Sequence, residues 1–246
     1  MWLTLCLCCG ISGCAKENAP KETEQVKKEL SRMEAWQAGE AVSEAAIERY
    51  GYERCFVAEP ISDTLFARMY GKSYKTDCTI PREELRYLKV LHKDAEGVIR
   101  LGELVSHASV SKDLLAIFRE LYAAAYPIER MQLIDDYEAD DERSMLANNS
   151  SAFNFRLIAG TTKLSNHSKG LAVDINPLYN PYVKVRADGS LYISPEAGAA
   201  YADRSQSFTY KIEPDDLCCR LFKQYGFEWG GDWTSLKDYQ HFEKGE

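Results

Sequence analysis

The spacing of apolar and polar positions divides the chain into elements before any chemistry is considered. Leu85–His92 (LRYLKVLH) and Val98–Ser106 read as two strands joined by a DAEG turn, Asp94–Gly97, and so predict a β-hairpin. The period then becomes helical. Leu114, Leu115, Ile117, Phe118, Leu121 and Tyr122 line one face, Ser111 reads as the N-cap, Asp113 sits in the first turn, and Pro127 stops the helix. Ile128–Tyr137 and Ala152–Ile158 resume as strands, and Leu171–Ile175 alternates as a short one. ADGS, Ala187–Ser190, predicts a second hairpin turn within Leu178–Ile193. A helix is expected over Pro214–Tyr225, begun by Pro and Asp residues and ended by Gly226, and a last strand over Tyr239–Glu243. This order predicts an α+β fold: a single domain with a central, mainly antiparallel sheet flanked by helices. At 246 residues the chain can bury one full core and leaves little room for a second.

The first fifty residues follow another pattern. Met1–Gly13 is apolar but too short to span a bilayer, which takes about 20 residues. It ends in ISGCA, the lipobox of a bacterial lipoprotein signal, although no Lys or Arg precedes the apolar run. The expectation is a signal peptide at 1–13, cleaved so that Cys14 becomes a lipidated first residue that anchors the chain to a membrane. Ala15 to about Val26 is charged and free of aromatics, as a flexible tether is, and the pattern to Tyr50 is helical. The helical part reads either as a small packing helix or, preferably, as a stalk, so residues 14–50 are taken as a tether and helical spacer and 51–246 as the functional domain. The expected location is outside the cytoplasm, facing the periplasm or cell wall.

Charge and cysteines narrow the classes. A net charge of −8, with no Lys/Arg patch among the aromatics, disfavours nucleic acid as a partner. In an exported chain a Cys55–Cys78 disulfide is possible, and the vicinal Cys218 and Cys219 read as helix residues, one of them facing the core. No CxxC pair is present, which excludes a thiolate zinc finger.

The candidate chemistry lies in two clusters. SNHSKGLAVDINP, Ser165–Pro177, places an imidazole, His167, seven residues before a carboxylate, Asp174. On one straight strand that spacing would put the two on opposite faces, because side chains alternate with period two. Ser168, Lys169 and Gly170 read as a turn, however, so His167 can swing over the strand that holds Asp174. DYQHFE, Asp238–Glu243, supplies a second imidazole, His241, and a spare carboxylate, Asp238. Two His and one Asp form an N/O ligand set with one vertex open, as at a catalytic zinc; structural zinc sites are closed, usually by thiolates. A chain with four His could bring two near an Asp by chance, but here each cluster pairs a His with a carboxylate. His92 and His107 lack such company and read as structural or surface residues.

These motifs resemble the zinc peptidases that cut bacterial cell-wall peptides, the D-Ala-D-Ala carboxypeptidase and L-Ala-D-Glu endopeptidase group that includes VanY-like enzymes and phage endolysins. The likeness extends over roughly the last two thirds of the chain and takes in SMLANNSSAFNFR, WGGDW and DYQHFE. It implies a hedgehog/DD-peptidase-like domain with a zinc cleft on the sheet and one Zn2+ on His167, Asp174 and His241. Asp238 would be the general base, a shorter arm than the Glu of many relatives. It also implies that Arg156 polarises the scissile carbonyl or holds the substrate's carboxylate. A surface salt bridge is the bland alternative for Arg156, and Arg143 competes for its role. Asn148, Asn149 and Ser150 could hydrogen-bond a peptide backbone; Ser165 and Trp233 complete the candidate substrate contacts, with packing the alternative for Trp233. The implied function is hydrolysis of peptidoglycan stem peptides, and the chain is expected to act as a monomer. The alternative is a catalytically silent peptidoglycan-binding lipoprotein of the same fold.

Overall fold

The computed structural model describes residues 23–158 and 160–245. The expected signal, Cys14 and most of the tether lie outside the described residues. Among these residues no helix is long and apolar enough to cross a membrane.

The chain begins with two short helices, α1 (Glu24–Glu34) and α2 (Glu44–Tyr50), capped by the hydroxyls of Thr23 and Ser43. They do not stand off as a spacer. Met33, Trp36, Val42, Ala46, Ile47 and Tyr50 are buried in the cluster that forms the main core, and the Trp36 indole N–H donates to the Gly102 carbonyl at 2.9 Å. The apolar positions scattered among charges were the stripe by which these helices pack.

Strand β1 (Val57–Pro60), helix α3 (Asp63–Met69), and the long hairpin β2 (Leu85–Lys93) and β3 (Ile99–His107) follow. The three strands form an antiparallel sheet in the order β1-β2-β3. The hairpin turn is the expected one: Asp94 Oδ1 accepts the N–H groups of Glu96 and Val98. Helix α4 (Ala108–Ala123) buries Leu114, Ile117, Phe118 and Leu121. It starts three residues before the expected Ser111, because His107 caps it through Nδ1 and β3 runs directly into it. Ser111 is instead buried within the first turn, its hydroxyl donating to the Ala108 carbonyl.

Two expected strands are largely absent. Within 128–137 only β4 (Arg130–Met131) pairs; Ile134–Tyr137 is a 3-10 turn whose Asp135 carboxylate accepts the Ser73 N–H and hydroxyl. After α5 (Asp141–Leu146) and β5 (Asn149–Ser150), residues 152–158 run extended without a ladder. Their N–H groups are divided among separate segments: Phe153 to Val105, Asn154 to His167, Phe155 to Ser73. Alternation registered their burial and could not distinguish a strand from an extended strap.

The remaining elements are β6 (Ala172–Asp174), the hairpin β7 (Tyr182–Val185) and β8 (Leu191–Ser194), α6 (Leu217–Gln224), β9 (Glu228–Trp229), β10 (Lys237–Asp238) and β11 (His241–Glu243). Helix α6 begins later than Pro214, with Asp216 as N-cap. In place of one central sheet the described residues form three three-stranded antiparallel sheets, β1-β2-β3, β10-β7-β8 and β6-β11-β9, and a parallel pair β4-β5. The mixed helix and antiparallel sheet of the α+β expectation is present. Cys55 and Cys78 are free thiols: Cys55 lies in the main core and Cys78 packs against a second cluster around Phe153 and Phe155. Cys218 and Cys219 are both buried, where one was expected to face the core.

Candidate metal centre

Strand alternation sets the site. In the β6-β11 pair Val173 lies opposite Phe242, and the next rung sets Asp174 opposite His241. Val173 and Phe242 are buried in the core, where Phe242 stacks on Phe222 of α6 at 4.2 Å between ring centres. The neighbouring rung must then present its side chains to the other face of the sheet. His167 reaches that face from a 3-10 turn, Asn166–Lys169, capped by the Ser165 hydroxyl on the His167 N–H and closed by Gly170 at φ +69°. Gly170 also lies against the residue before α4: a Cβ there would meet the His107 nitrogen at 2.5 Å. The reversal expected at this glycine is therefore doubly required.

The three side chains converge. His167 Nε2 lies 3.2 Å from Asp174 Oδ2 and 3.1 Å from His241 Nδ1, and His241 Nδ1 lies 3.0 Å from Asp174 Oδ1. The far nitrogens define the tautomers. His167 Nδ1 is 2.6 Å from the Ala152 carbonyl, which can only accept, so the proton is on Nδ1 and Nε2 carries a lone pair. His241 Nε2 is 2.9 Å from Glu243 Oε2, which leaves a lone pair on Nδ1. Two imidazole lone pairs and a carboxylate oxygen thus face one point. Tetrahedral zinc with N and O bonds of about 2.0–2.1 Å separates its ligands by about 3.3–3.4 Å. The spacing here differs by a few tenths of an ångström, and the residues fit a divalent cation.

The electrostatics agree. Burial alone would lower the His241 imidazole, but the Asp174 and Glu243 carboxylates outweigh it and push its pKa up to about 10. Burial would raise Asp174, yet His167 and His241 hold it well below the usual carboxylate range.

Asp238 lies beside this group on β10, directly opposite Tyr182 of β7. It is largely buried, and its Oδ1 has no hydrogen-bond partner among the described residues. Burial pushes its carboxyl up to about 6, against the pull of His241 and with the charge of Asp174 adding to the rise. Gly230 of the WGGDW loop lets the chain close over this position, since a Cβ there would lie 2.8 Å from that of Asp238. Trp233 of the same loop sets its ring 5.4 Å from that of His241.

Residues 159–244 match the family model described as D-alanyl-D-alanine carboxypeptidase. The match supports the resemblance read from the motifs and supports a peptidase. It spans about a third of the chain and contains His167, Asp174, Asp238, His241 and Trp233, whereas SMLANNSSAFNFR lies before it. No curated protein and no solved structure matches the chain.

The other candidates fare differently. Arg156 pairs with Asp141, and its backbone N–H donates to Ser168 Oγ; among the described residues it makes no hydrogen bond or ion pair with the His–Asp–His group. Asn148 and Asn149 are fully buried and spend their amides inside the protein. Asn148 donates to Glu129 and accepts the Leu178 N–H, and Asn149 exchanges two bonds with the Gln132 backbone. Ser150 is equally buried and accepts the Asn176 N–H, and Ser165 is the cap already described. These four order the strands and the turn behind the site, and the expectation that they meet substrate is corrected for all of them. Their polarity signalled backbone groups lacking ladder partners, which side-chain amides and hydroxyls satisfy.

Three contacts had no assignment from sequence. Glu243 bonds His241, and the Asn166 amide bonds the same carboxylate oxygen at 2.7 Å. The signal was present, since Glu243 stands two residues beyond His241 on one strand and so on the same face. The Ala152 carbonyl that orients His167 leaves no trace in a sequence.

Proposed function

We propose that this chain is a zinc-dependent peptidase that hydrolyses peptidoglycan stem peptides, as a D-alanyl-D-alanine carboxypeptidase or an L-alanyl-D-glutamate endopeptidase, with its cleft on the β6-β11-β9 sheet of a hedgehog/DD-peptidase-like domain. The observation that carries this reading is the meeting of two imidazole lone pairs and a carboxylate at 3.0–3.2 Å inside the segment that matches the carboxypeptidase family. His167, Asp174 and His241 would hold one Zn2+. When bound, that ion supplies Lewis acidity toward a carbonyl oxygen and lowers the pKa of water to about 7.

The remaining steps belong to the chain's own groups. Asp238 has a pKa near 6 and an unsatisfied Oδ1, so it is ionised at neutral pH and free to accept a proton from the attacking water. The same carboxylic acid then returns that proton to the leaving amine nitrogen. Trp233 and Tyr182 flank the centre and would restrict access of bulk solvent. Arg156 is assigned to the substrate's carboxylate or scissile carbonyl, a role that requires it to exchange its Asp141 partner for substrate. We further propose export with lipid anchoring through Cys14, action as a monomer, and no nucleic-acid partner.

Defined stem peptides, with and without a terminal D-Ala-D-Ala, incubated with the zinc-loaded protein and analysed by mass, test this reading. Release of D-Ala assigns a carboxypeptidase, and cleavage between L-Ala and D-Glu an endopeptidase. Intact peptides that nevertheless bind the protein would leave the silent peptidoglycan-binding lipoprotein as the function.

A further inference from the structure

We infer that Glu243, held in turn by Asn166, is a positioning residue of the metal centre: it fixes the His241 ring with its proton on Nε2, so that Nδ1 is the atom offered to the cation. The inference rests on reading that centre as a zinc site.

A neutral imidazole carries one proton, and either nitrogen can hold it. A ring free to turn about Cβ–Cγ would offer the centre a mixture of orientations and tautomers. For His241 the choice is made from outside the cluster. Glu243 Oε2 lies 2.9 Å from Nε2, and an ionised carboxylate only accepts, so Nε2 must carry the proton. The lone pair then falls on Nδ1, the atom 3.0 Å from Asp174 and 3.1 Å from His167. Glu243 lies beyond the far edge of the ring and acts through His241.

The carboxylate is itself fixed on two sides. Glu243 and His241 are two apart on β11, so the strand's pleat aims both at the same face. Asn166 donates to the same Oε2 at 2.7 Å, and it is the residue immediately before His167 on the 3-10 turn. One oxygen therefore joins the strand that supplies one ligand to the turn that supplies another. The two histidines differ in this respect. His167 is oriented by a backbone carbonyl, Ala152, which no substitution removes; His241 depends on a side chain that can be changed. Outer partners of metal-bound histidines commonly contribute about 10- to 100-fold to metal affinity.

The test uses the full chain, stripped of metal and titrated with Zn2+ in competition with a chromogenic chelator. Glu243→Ala should weaken zinc affinity by about 10- to 100-fold. Glu243→Gln should weaken it less, since an amide oxygen can still accept from Nε2–H, and Asn166→Ala least of all. A second readout reports atoms: with 113Cd2+ and 15N-labelled histidine, the wild type should show cadmium coupling to Nδ1 of His241, and Glu243→Ala should lose it or shift it to Nε2. A merely structural role for Glu243 would lower the unfolding midpoint of the metal-free protein without moving that coupling. Should Glu243→Ala fail to fold, the near-isosteric Gln variant decides. Unchanged affinity together with unchanged Nδ1 coupling overturns the inference and leaves the zinc site standing. A wild type that binds no stoichiometric zinc removes both.

Discussion

Replacing Asp238 by Asn should make the metal-free protein more stable while it disables the enzyme. The ordinary carboxylate value is 3.8, and burial lifts Asp238 to about 6. A group whose folded pKa lies above its unfolded one binds its proton more tightly in the folded state. Its contribution is therefore most favourable below the unfolded value and is lost as pH rises through the folded one. At about 1.36 kcal/mol per pKa unit, the loss reaches about 1.6 kcal/mol near pH 5 and about 3 kcal/mol near pH 8. Asparagine has the same shape and no charge. The advantage of Asp238→Asn over wild type should grow by about 1.4 kcal/mol across that interval, or about 3–6 °C in melting temperature for a chain of this size. Urea or thermal unfolding of both chelator-treated proteins at several pH values measures it. In the same variant kcat/KM should fall by about 10²- to 10⁴-fold with zinc content unchanged. A stability gap that is absent, or that does not vary with pH, would refute the claim that Asp238 is a buried carboxylate strained by its surroundings.

Four further outcomes follow from the geometry. His167→Ala and Asp174→Ala should each abolish stoichiometric zinc, measured by elemental analysis, and activity with it; full metal in either variant would remove those side chains from the site. The acid limb of kcat/KM should lie at or below about pH 6, because Asp238 must be ionised to accept a proton and a bound cation can only lower its pKa. Asn148→Ala should cost about 2 kcal/mol or more in unfolding free energy by stranding the Leu178 N–H, and should leave KM unchanged; a raised KM on a stable variant would restore the substrate role. Trp36→Ala should cost about 3–5 kcal/mol, as a core residue does, whereas a free-standing spacer would tolerate it within about 0.5 kcal/mol.

Sequence and structure agree where the chemistry is local. His167, Gly170 and Asp174 lie within eight residues, and a turn glycine followed by a strand leaves few ways to join them. His241 was found because its own cluster pairs it with a carboxylate. The β2-β3 hairpin and the apolar face of α4 were legible for the same reason, since their periodicity is complete within one window. What escaped depended on distant partners. Residues 152–158 alternate like a strand but bond to three unrelated segments. The α1-α2 region looked like a stalk because its partners lie on β3, far along the chain. The run Asn148–Ser150 looked like a peptide-binding loop, since a polar side chain reads alike whether it faces ligand or internal backbone.

Asp174 and His241 occupy a single rung of the β6-β11 ladder, so the two are joined by strand register before any ion joins them. If β11 paired one residue out of step, one of the two would turn into the core and the other would keep its place, and no triad could form. An ion present during refolding would select the correct alignment over its neighbours. Metal content would thereby report how faithfully the C-terminal strand has found its place.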